Sequence, residues 1–180
     1  PEVNYDRITT TYTYDHANRL QSEYSVIDNQ NTNISSNTVR TSYSYDTFGR
    51  LVSKQSDDII ENYRYDIRNR ETLRSSDYFT MQLAYEQPTF ESSVRCYNGN
   101  ISEATWQYGM DQTADTYTYY YDYADRLADQ RHIVNSVEEE TYSLRNIEYD
   151  ADGNILQVIR YAAEAPLTSR YQRQEYSYTN

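Results

Sequence analysis

The chain has 180 residues, enough for one domain, but only 37% of them are hydrophobic and the net charge is -12. A balance of 28 acidic against 16 basic residues disfavours nucleic acid and anionic membrane as partners, because both require clustered positive charge. Disorder is the ordinary outcome of so little aliphatic content, but 23 tyrosines oppose it: each buried ring removes roughly 150 to 250 Å² from water, and Tyr, Thr and Val suit a pleated, half-buried surface. The composition therefore predicts an all-β fold whose core is aromatic and wet at its hydroxyls.

The N-terminus, Pro1-Glu2-Val3-Asn4, has neither a basic nor an apolar leader region, and no stretch approaches the ~20 apolar residues of a membrane span. A start without Met reads as a piece of a longer chain, so a missing leader says little about compartment. A single template then recurs along the sequence. Its copies are Tyr12-Thr-Tyr14-Asp15-His-Ala-Asn18-Arg19-Leu20, Tyr43-Ser-Tyr45-Asp46-Thr-Phe-Gly49-Arg50-Leu51 and Tyr63-Arg-Tyr65-Asp66-Ile-Arg-Asn69-Arg70. Further on come Tyr119-Tyr-Tyr121-Asp122-Tyr-Ala-Asp125-Arg126-Leu127 and Ile147-Glu-Tyr149-Asp150-Ala-Asp-Gly153-Asn154-Ile155, with Asn154 in the arginine position. Tyr97-Asn98-Gly99-Asn100-Ile101 is a compressed sixth copy, and Tyr176-Ser-Tyr178 begins a seventh. The spacing varies, from 31 residues between Tyr14 and Tyr45 to 20 between Tyr45 and Tyr65, so variable loops separate the turns; the polar stretch Asp28–Asn37 is one candidate.

Each template position has a physical reason. Tyr-x-Tyr places two rings on one face of a strand. The Asp that follows hydrogen-bonds backbone two residues on and opens a type I turn. Three residues later stands Gly, Asn or Asp, the types that tolerate the left-handed conformation closing a three-residue hairpin loop with a bulge. Three of the four glycines, Gly49, Gly99 and Gly153, fall at that position, and Asn98-Gly99 reads as a two-residue type I′ hairpin. Leu or Ile then starts the returning strand. Arg19, Arg50, Arg70 and Arg126 lie four residues past the template Asp, near it across the hairpin mouth; as exposed pairs they would contribute about 0 to 1 kcal/mol each and act as register aids.

The repeated Tyr-x-Tyr-Asp-x-x-Gly/Asn-Arg-Leu element resembles the YD or Rhs repeat of bacterial Rhs proteins, wall-associated proteins, insecticidal toxin-complex subunits and teneurins, across essentially the whole chain. The phrase Tyr97–Trp106, followed by a Tyr-x-Tyr-Asp copy and then Tyr149–Ile155, is similar to that of Rhs-like surface proteins of gut Bacteroides-type bacteria. The resemblance implies one YD-repeat array over residues 1–180, built of stacked antiparallel β-hairpins in an open, twisted, curved sheet. Such a sheet would be part of a β-shell that encloses a C-terminal effector, in a secreted or cell-surface bacterial protein. It also implies that the open edges pair with neighbouring repeats of the parent chain or, in an isolated piece, edge to edge. The family's self-cleaving core and toxin domain have no match here, so no catalytic residue is carried over.

The remaining residues offer little chemistry. Cys96, the only cysteine, reads as a buried inert thiol. His16 and His132 are the only histidines and lack the setting of a catalytic or metal residue. Asp150-Ala-Asp152-Gly153-Asn154 lacks the further oxygen ligands and closing Glu of a calcium loop. Neither a phosphate-binding loop nor a nucleophile elbow is present, so neither a cofactor nor a metal is expected, and an enzyme is the weakest reading. The alternative to a structural segment is a carbohydrate-binding module using exposed faces of the outer tyrosines, Tyr12, Tyr43, Tyr63 and Tyr119. Glu138–Glu140 reads as a solvated loop, Trp106 as a core anchor, and Pro88 as an edge or turn where the repeat departs most from its template.

Overall fold

The computed structural model describes residues 6–29, 37–91, 93–109, 113–164 and 168–178, and all thirteen regular elements among them are β-strands. The chain divides into two compact units, Pro1–Asp77 and Tyr78–Asn180. The first carries β1 (Asp6–Tyr14), β2 (Leu20–Asn29), β3 (Asn37–Tyr45), β4 (Leu51–Ser56), β5 (Ile59–Tyr65) and β6 (Glu71–Ser75). Each strand pairs antiparallel with the next. The second carries β7 (Phe79–Ala84), β8 (Glu103–Tyr108), β9 (Asp115–Tyr121), β10 (Leu127–Val134), β11 (Val137–Tyr149), β12 (Ile155–Glu164) and β13 (Thr168–Glu175), again paired antiparallel in sequence order. Among the described residues neither meander closes on itself. The predicted all-β, open arrangement of stacked hairpins is the one found.

Five hairpins share one turn. In the first, Asp15 N–H donates to the Arg19 carbonyl and Asn18 N–H to the Asp15 carbonyl, both at 2.9 Å. The same pair of bonds recurs at Asp46, Asp66, Asp122 and Asp150. The residue three past each Asp is left-handed, with φ of 59° at Asn18, 84° at Gly49, 68° at Asn69, 61° at Asp125 and 89° at Gly153. The returning strand then carries one extra residue, since Thr13 pairs with Ser22 but Tyr14 with Leu20, and the same step recurs in the other four. This is the bulged three-residue loop that the template predicts. Cross-strand hydroxyl pairs, Thr10 with Ser25 at 2.9 Å, Thr41 with Ser56 at 3.1 Å and Thr105 with Thr116 at 2.9 Å, add register between the turns.

Full burial is concentrated in the second unit, where Tyr85, Cys96, Ala104, Ile133 and Val158 are buried together with the polar Ser102, Glu103, Thr118, His132, Ser143 and Gln157. In the first unit the rings of Tyr43, Tyr45, Tyr63 and Tyr65 are half-buried.

Three sequence expectations need correction or limits. Asn98-Gly99 is not a type I′ hairpin. No strand enters it from the N-terminal side, and only Gly99, at φ 106°, is left-handed there. It is the second half of an enlarged turn between β7 and β8. Leu83-Ala84-Tyr85-Glu86 stands in the Tyr-x-Tyr-Asp position of that turn, Cys96 N–H donates to the Tyr85 carbonyl at 2.9 Å, and Ser102 N–H to that of Ala84 at 2.9 Å. Pro88 lies within this irregular segment. Glu138–Glu140 is exposed but belongs to strand β11, because the reversal occurs earlier, at Asn135 and Ser136, whose φ of 50° and 65° are those of a type I′ turn. Of the polar stretch Asp28–Asn37, residues 30–36 lie outside the described residues, while its ends extend β2 and β3.

The left-handed position supplies a stability test. Gly49→Val and Gly153→Val each place a β-branched residue at positive φ and should destabilise by about 1–3 kcal/mol. Gly153→Asn, which reproduces the residue type at Asn18 and Asn69, should leave thermal unfolding nearly unchanged. Equal melting of the valine and asparagine variants would contradict the turn assignment.

Candidate functional site

The template residues converge on a ladder of turns. In each, the Asp Oδ1 accepts two backbone amides. One comes from the residue two on, at 2.8–3.0 Å (Ala17, Phe48, Arg68, Ala124, Asp152), and the other from the residue four on, at 2.8–2.9 Å (Arg19, Arg50, Arg70, Arg126, Asn154). The second oxygen takes the guanidinium Nε at 2.7 Å in Asp15, 2.6 Å in Asp46, 2.7 Å in Asp66 and 2.8 Å in Asp122. In the fifth copy the amide of Asn154 replaces it, donating to Asp150 Oδ2 at 2.9 Å. One carboxylate thus closes the loop and orients the arginine.

These bonds hold the carboxyls of all five aspartates below the usual value of 3.8. For Asp15 and Asp122 the largest cause is the backbone amide of the paired arginine. For Asp46 and Asp66 partial burial pushes the other way, and the amides and guanidinium outweigh it together. For Asp150 the Asn154 side chain leads.

What the sequence did not show is where the arginine goes next. The Arg19 guanidinium carbon sits 4.6 Å from the ring centroid of Tyr45, the second tyrosine of the following copy. Arg50 sits 5.1 Å from Tyr65, and Arg126 4.4 Å from Tyr149. The tyrosine hydroxyl in turn donates back to the carbonyl that opens the preceding return strand: Tyr45 to Leu20 and Tyr149 to Leu127, both at 2.8 Å. Tyr121 donates to Ile101 at 2.8 Å and Tyr178 to Ile155 at 2.9 Å. Arg50 and Arg126 extend the tie by donating to the carbonyls of Asp66 and Asp150, each at 3.2 Å. The Gly99 copy keeps its place in this scheme despite the enlarged turn, since Ile101, two residues past Gly99, supplies the accepting carbonyl.

The outer tyrosines are mostly engaged. Tyr43 is half-buried and donates to Glu23 at 3.1 Å. Tyr63 donates to Glu61 at 2.8 Å with Arg74 5.2 Å above its ring, and burial first, then the Glu61 carboxylate, push its phenol up to about 12. Tyr119 packs edge-on to Tyr117 at 6.5 Å. Tyr12, at 52% exposure, has the most open ring of the four.

The other singled-out residues have structural surroundings. Cys96 is buried, and desolvation pushes its thiol up. His16 is exposed on a turn. His132 is buried between the rings of Tyr117 and Tyr142, with Nδ1 2.8 Å from the Thr141 carbonyl and Nε2 3.0 Å from Asp115 Oδ1. Trp106 is half-buried, 4.7 Å from Tyr117. A residue that no motif signalled is Glu103, only 4% exposed. Its carboxylate accepts the amides of Thr89 at 3.1 Å and Phe90 at 2.8 Å and the Ser93 hydroxyl at 3.2 Å, pinning the enlarged turn to β8. Among the described residues no group of three or more His, Cys, Asp or Glu could hold a metal ion, and no helix is long and apolar enough to cross a membrane.

No family model and no curated protein matches the chain. A chain in the structure of the Photorhabdus luminescens Tc holotoxin pore carrying a TccC3 mutation is similar over 94% of this chain and 12% of its own length, with 13% identity and a TM-score of 0.46. The present chain thus spans about an eighth of that one, and at this similarity nothing further is drawn from it.

Two outcomes test the ladder. Tyr149→Phe removes the bond to the Leu127 carbonyl and should cost about 1 kcal/mol in urea unfolding, whereas Tyr123→Phe at a fully exposed turn tip should cost nothing measurable. Because the aspartate values are depressed in the folded state, their contribution is intact above 3.8 and is lost as pH falls through the lower folded values. Unfolding free energy should therefore stay level down to about pH 4 and fall below it, with a shallower acid limb in Asp122→Asn. An acid limb unaltered by that change would remove Asp122 from the account.

Proposed function

We propose that the chain is a structural segment of the YD or Rhs kind. It builds part of a β-shell or stalk in a secreted or cell-surface bacterial protein and encloses or presents a C-terminal effector, with neighbouring repeats of the parent chain as its first partners. The observation that carries this reading is the link between successive turns at Arg19–Tyr45 and Arg126–Tyr149, with arginine beneath the following tyrosine ring and that tyrosine's hydroxyl on the preceding carbonyl. Asp, Arg, Tyr and the strand-opening carbonyl are all consumed in stacking one hairpin on another, as a wall requires and a catalytic site does not. A carbohydrate-binding module resting on tyrosine faces has less support, since three of its four proposed rings are half-buried and engaged with neighbours.

The test is to express the whole reading frame that encodes these residues and treat the native product with protease. A wall predicts further repeats flanking an unrelated segment that survives digestion. It also predicts that Arg50→Ala combined with Arg126→Ala makes that segment cleavable. A reading frame without further repeats, or an unprotected segment in the unaltered protein, would overturn the proposal.

A further inference from the structure

The enlarged turn between β7 and β8 folds back over one face of the sheet and leaves a cavity of about 330 Å³ against it. One wall is a single cross-strand row: Gln82 on β7, Thr105 on β8, Thr116 on β9 and Ile133 on β10, each opposite the next in the register. Glu103 stands two residues along from Thr105 and so on the same face. Phe90 of the turn lines the cavity with them. The volume lies at the small end of the range for ligand sites, roughly 300 to 1,000 Å³.

Glu103 is the unusual member of this lining. It is only 4% exposed, but among the described residues no Lys, Arg or His pairs with its carboxylate. Neutral groups alone hold it, and Oε1 receives just one of them, the Thr89 amide at 3.3 Å. Arg131 shares this face by register, but its guanidinium is taken up by Asp129, Glu138 and the ring of Tyr120. Beside the carboxylate, Thr118 lies opposite Glu103 on β9, fully buried, and its hydroxyl has no hydrogen-bond partner among the described residues. Buried charges are ordinarily paired, because taking a carboxylate out of water without a counter-charge is costly.

We propose that this cavity binds a primary ammonium group on a short alkyl chain, with the ammonium on Glu103 Oε1 and the chain against Phe90 and Ile133. An ammonium has three donors and no acceptor. Oε1 takes one of them, and the Thr105–Thr116 hydroxyl pair, 2.9 Å apart, offers further lone pairs. The alternatives fit less well. No cationic side chain lines the cavity, so an anion finds no partner. A neutral sugar leaves the charge of Glu103 unbalanced, and a quaternary ammonium cannot donate. The aromatic ring of Phe90 suits a cation further, and the net charge of -12 raises the local concentration of cations. None of the Asp, Arg and Tyr residues of the turn ladder lines the cavity, so the site stands whether or not the chain is a wall segment.

Titration of the 180-residue chain with n-butylamine, followed by amide chemical shifts in buffer of matched ionic strength, tests this. Saturable shifts at Thr89, Phe90, Thr105 and Thr116 are expected, with none from 1-butanol. A blocked lysine, Nα-acetyl-lysine N-methylamide, separates the sources of the group: binding equal to that of n-butylamine supports a lysine side chain as occupant, and its exclusion supports a free amine. Glu103→Gln should weaken n-butylamine binding about tenfold or more. Because Glu103 also pins the turn, Gln82→Lys gives a second reading from an exposed position. Its own ammonium reaches Glu103 across the diagonal between β7 and β8, so it should raise the melting temperature and abolish n-butylamine binding. Equal shifts from 1-butanol and n-butylamine, no saturable shifts at all, or binding unchanged in folded Gln82→Lys overturns the proposal.

Discussion

Five of the hairpins hang on a five-residue reversal in which one carboxylate fixes both backbone and side chain. The left-handed residue lets the chain turn, but geometry alone would leave the loop amides to water. The aspartate takes two of them on one oxygen and the arginine on the other. The arginine is thereby held flat, and a flat guanidinium can lie beneath an aromatic ring. A mobile lysine at that place would supply charge but neither the planar face nor the second donor that reaches the next turn's carbonyl.

That constraint explains the abundance of tyrosine and the scarcity of phenylalanine. In Tyr45 and Tyr149 the second ring of the copy lies against an arginine while its far end meets a backbone carbonyl, and only a ring with a hydroxyl does both. The half-buried state of Tyr45, Tyr65 and Tyr149 follows from this use. Their burial comes from adjacent hairpins, and so the chain organises itself with few aliphatic residues. Tyr14 occupies the same template position on β1, the outermost of the described strands, and is 57% exposed.

How much could be read in advance tracks the range of each interaction. The Asp15–Arg19 type of contact spans four residues, so the template alone disclosed it, together with the left-handed position and the bulge. The Arg19–Tyr45 contact depends on a loop of variable length, and nothing local to either residue announces it. Two local signals also misled. Asn98-Gly99 has the dipeptide of a tight hairpin, but β8 pairs with β7 across the whole enlarged segment, and tertiary pairing overrode the local preference. The run Glu138–Glu140 reads as a loop by charge, yet the reversal had already been completed at Asn135 and Ser136. Glu103 was invisible because a single glutamate in a strand carries no pattern; its role depends on two amides and a hydroxyl ten to fourteen residues away.

The enlarged turn between β7 and β8 shows what the repeat requires and what it leaves free. Glu86 stands where the template has aspartate, and the loop bonds of the other copies are replaced there by Cys96 N–H on the Tyr85 carbonyl and by the Glu103 carboxylate on the inserted segment. One feature survives unchanged, the carbonyl of Ile101, which still receives the Tyr121 hydroxyl at 2.8 Å. At Leu20, Ile101, Leu127 and Ile155 a hairpin thus offers one carbonyl to the next tyrosine, and the turn itself is one of at least two ways of placing it. With that carbonyl held in register by the β7–β8 pairing, the turn side of a hairpin can accept an insertion without breaking the ladder. The strand side cannot, because a one-residue slip there would carry the tyrosine ring to the opposite face.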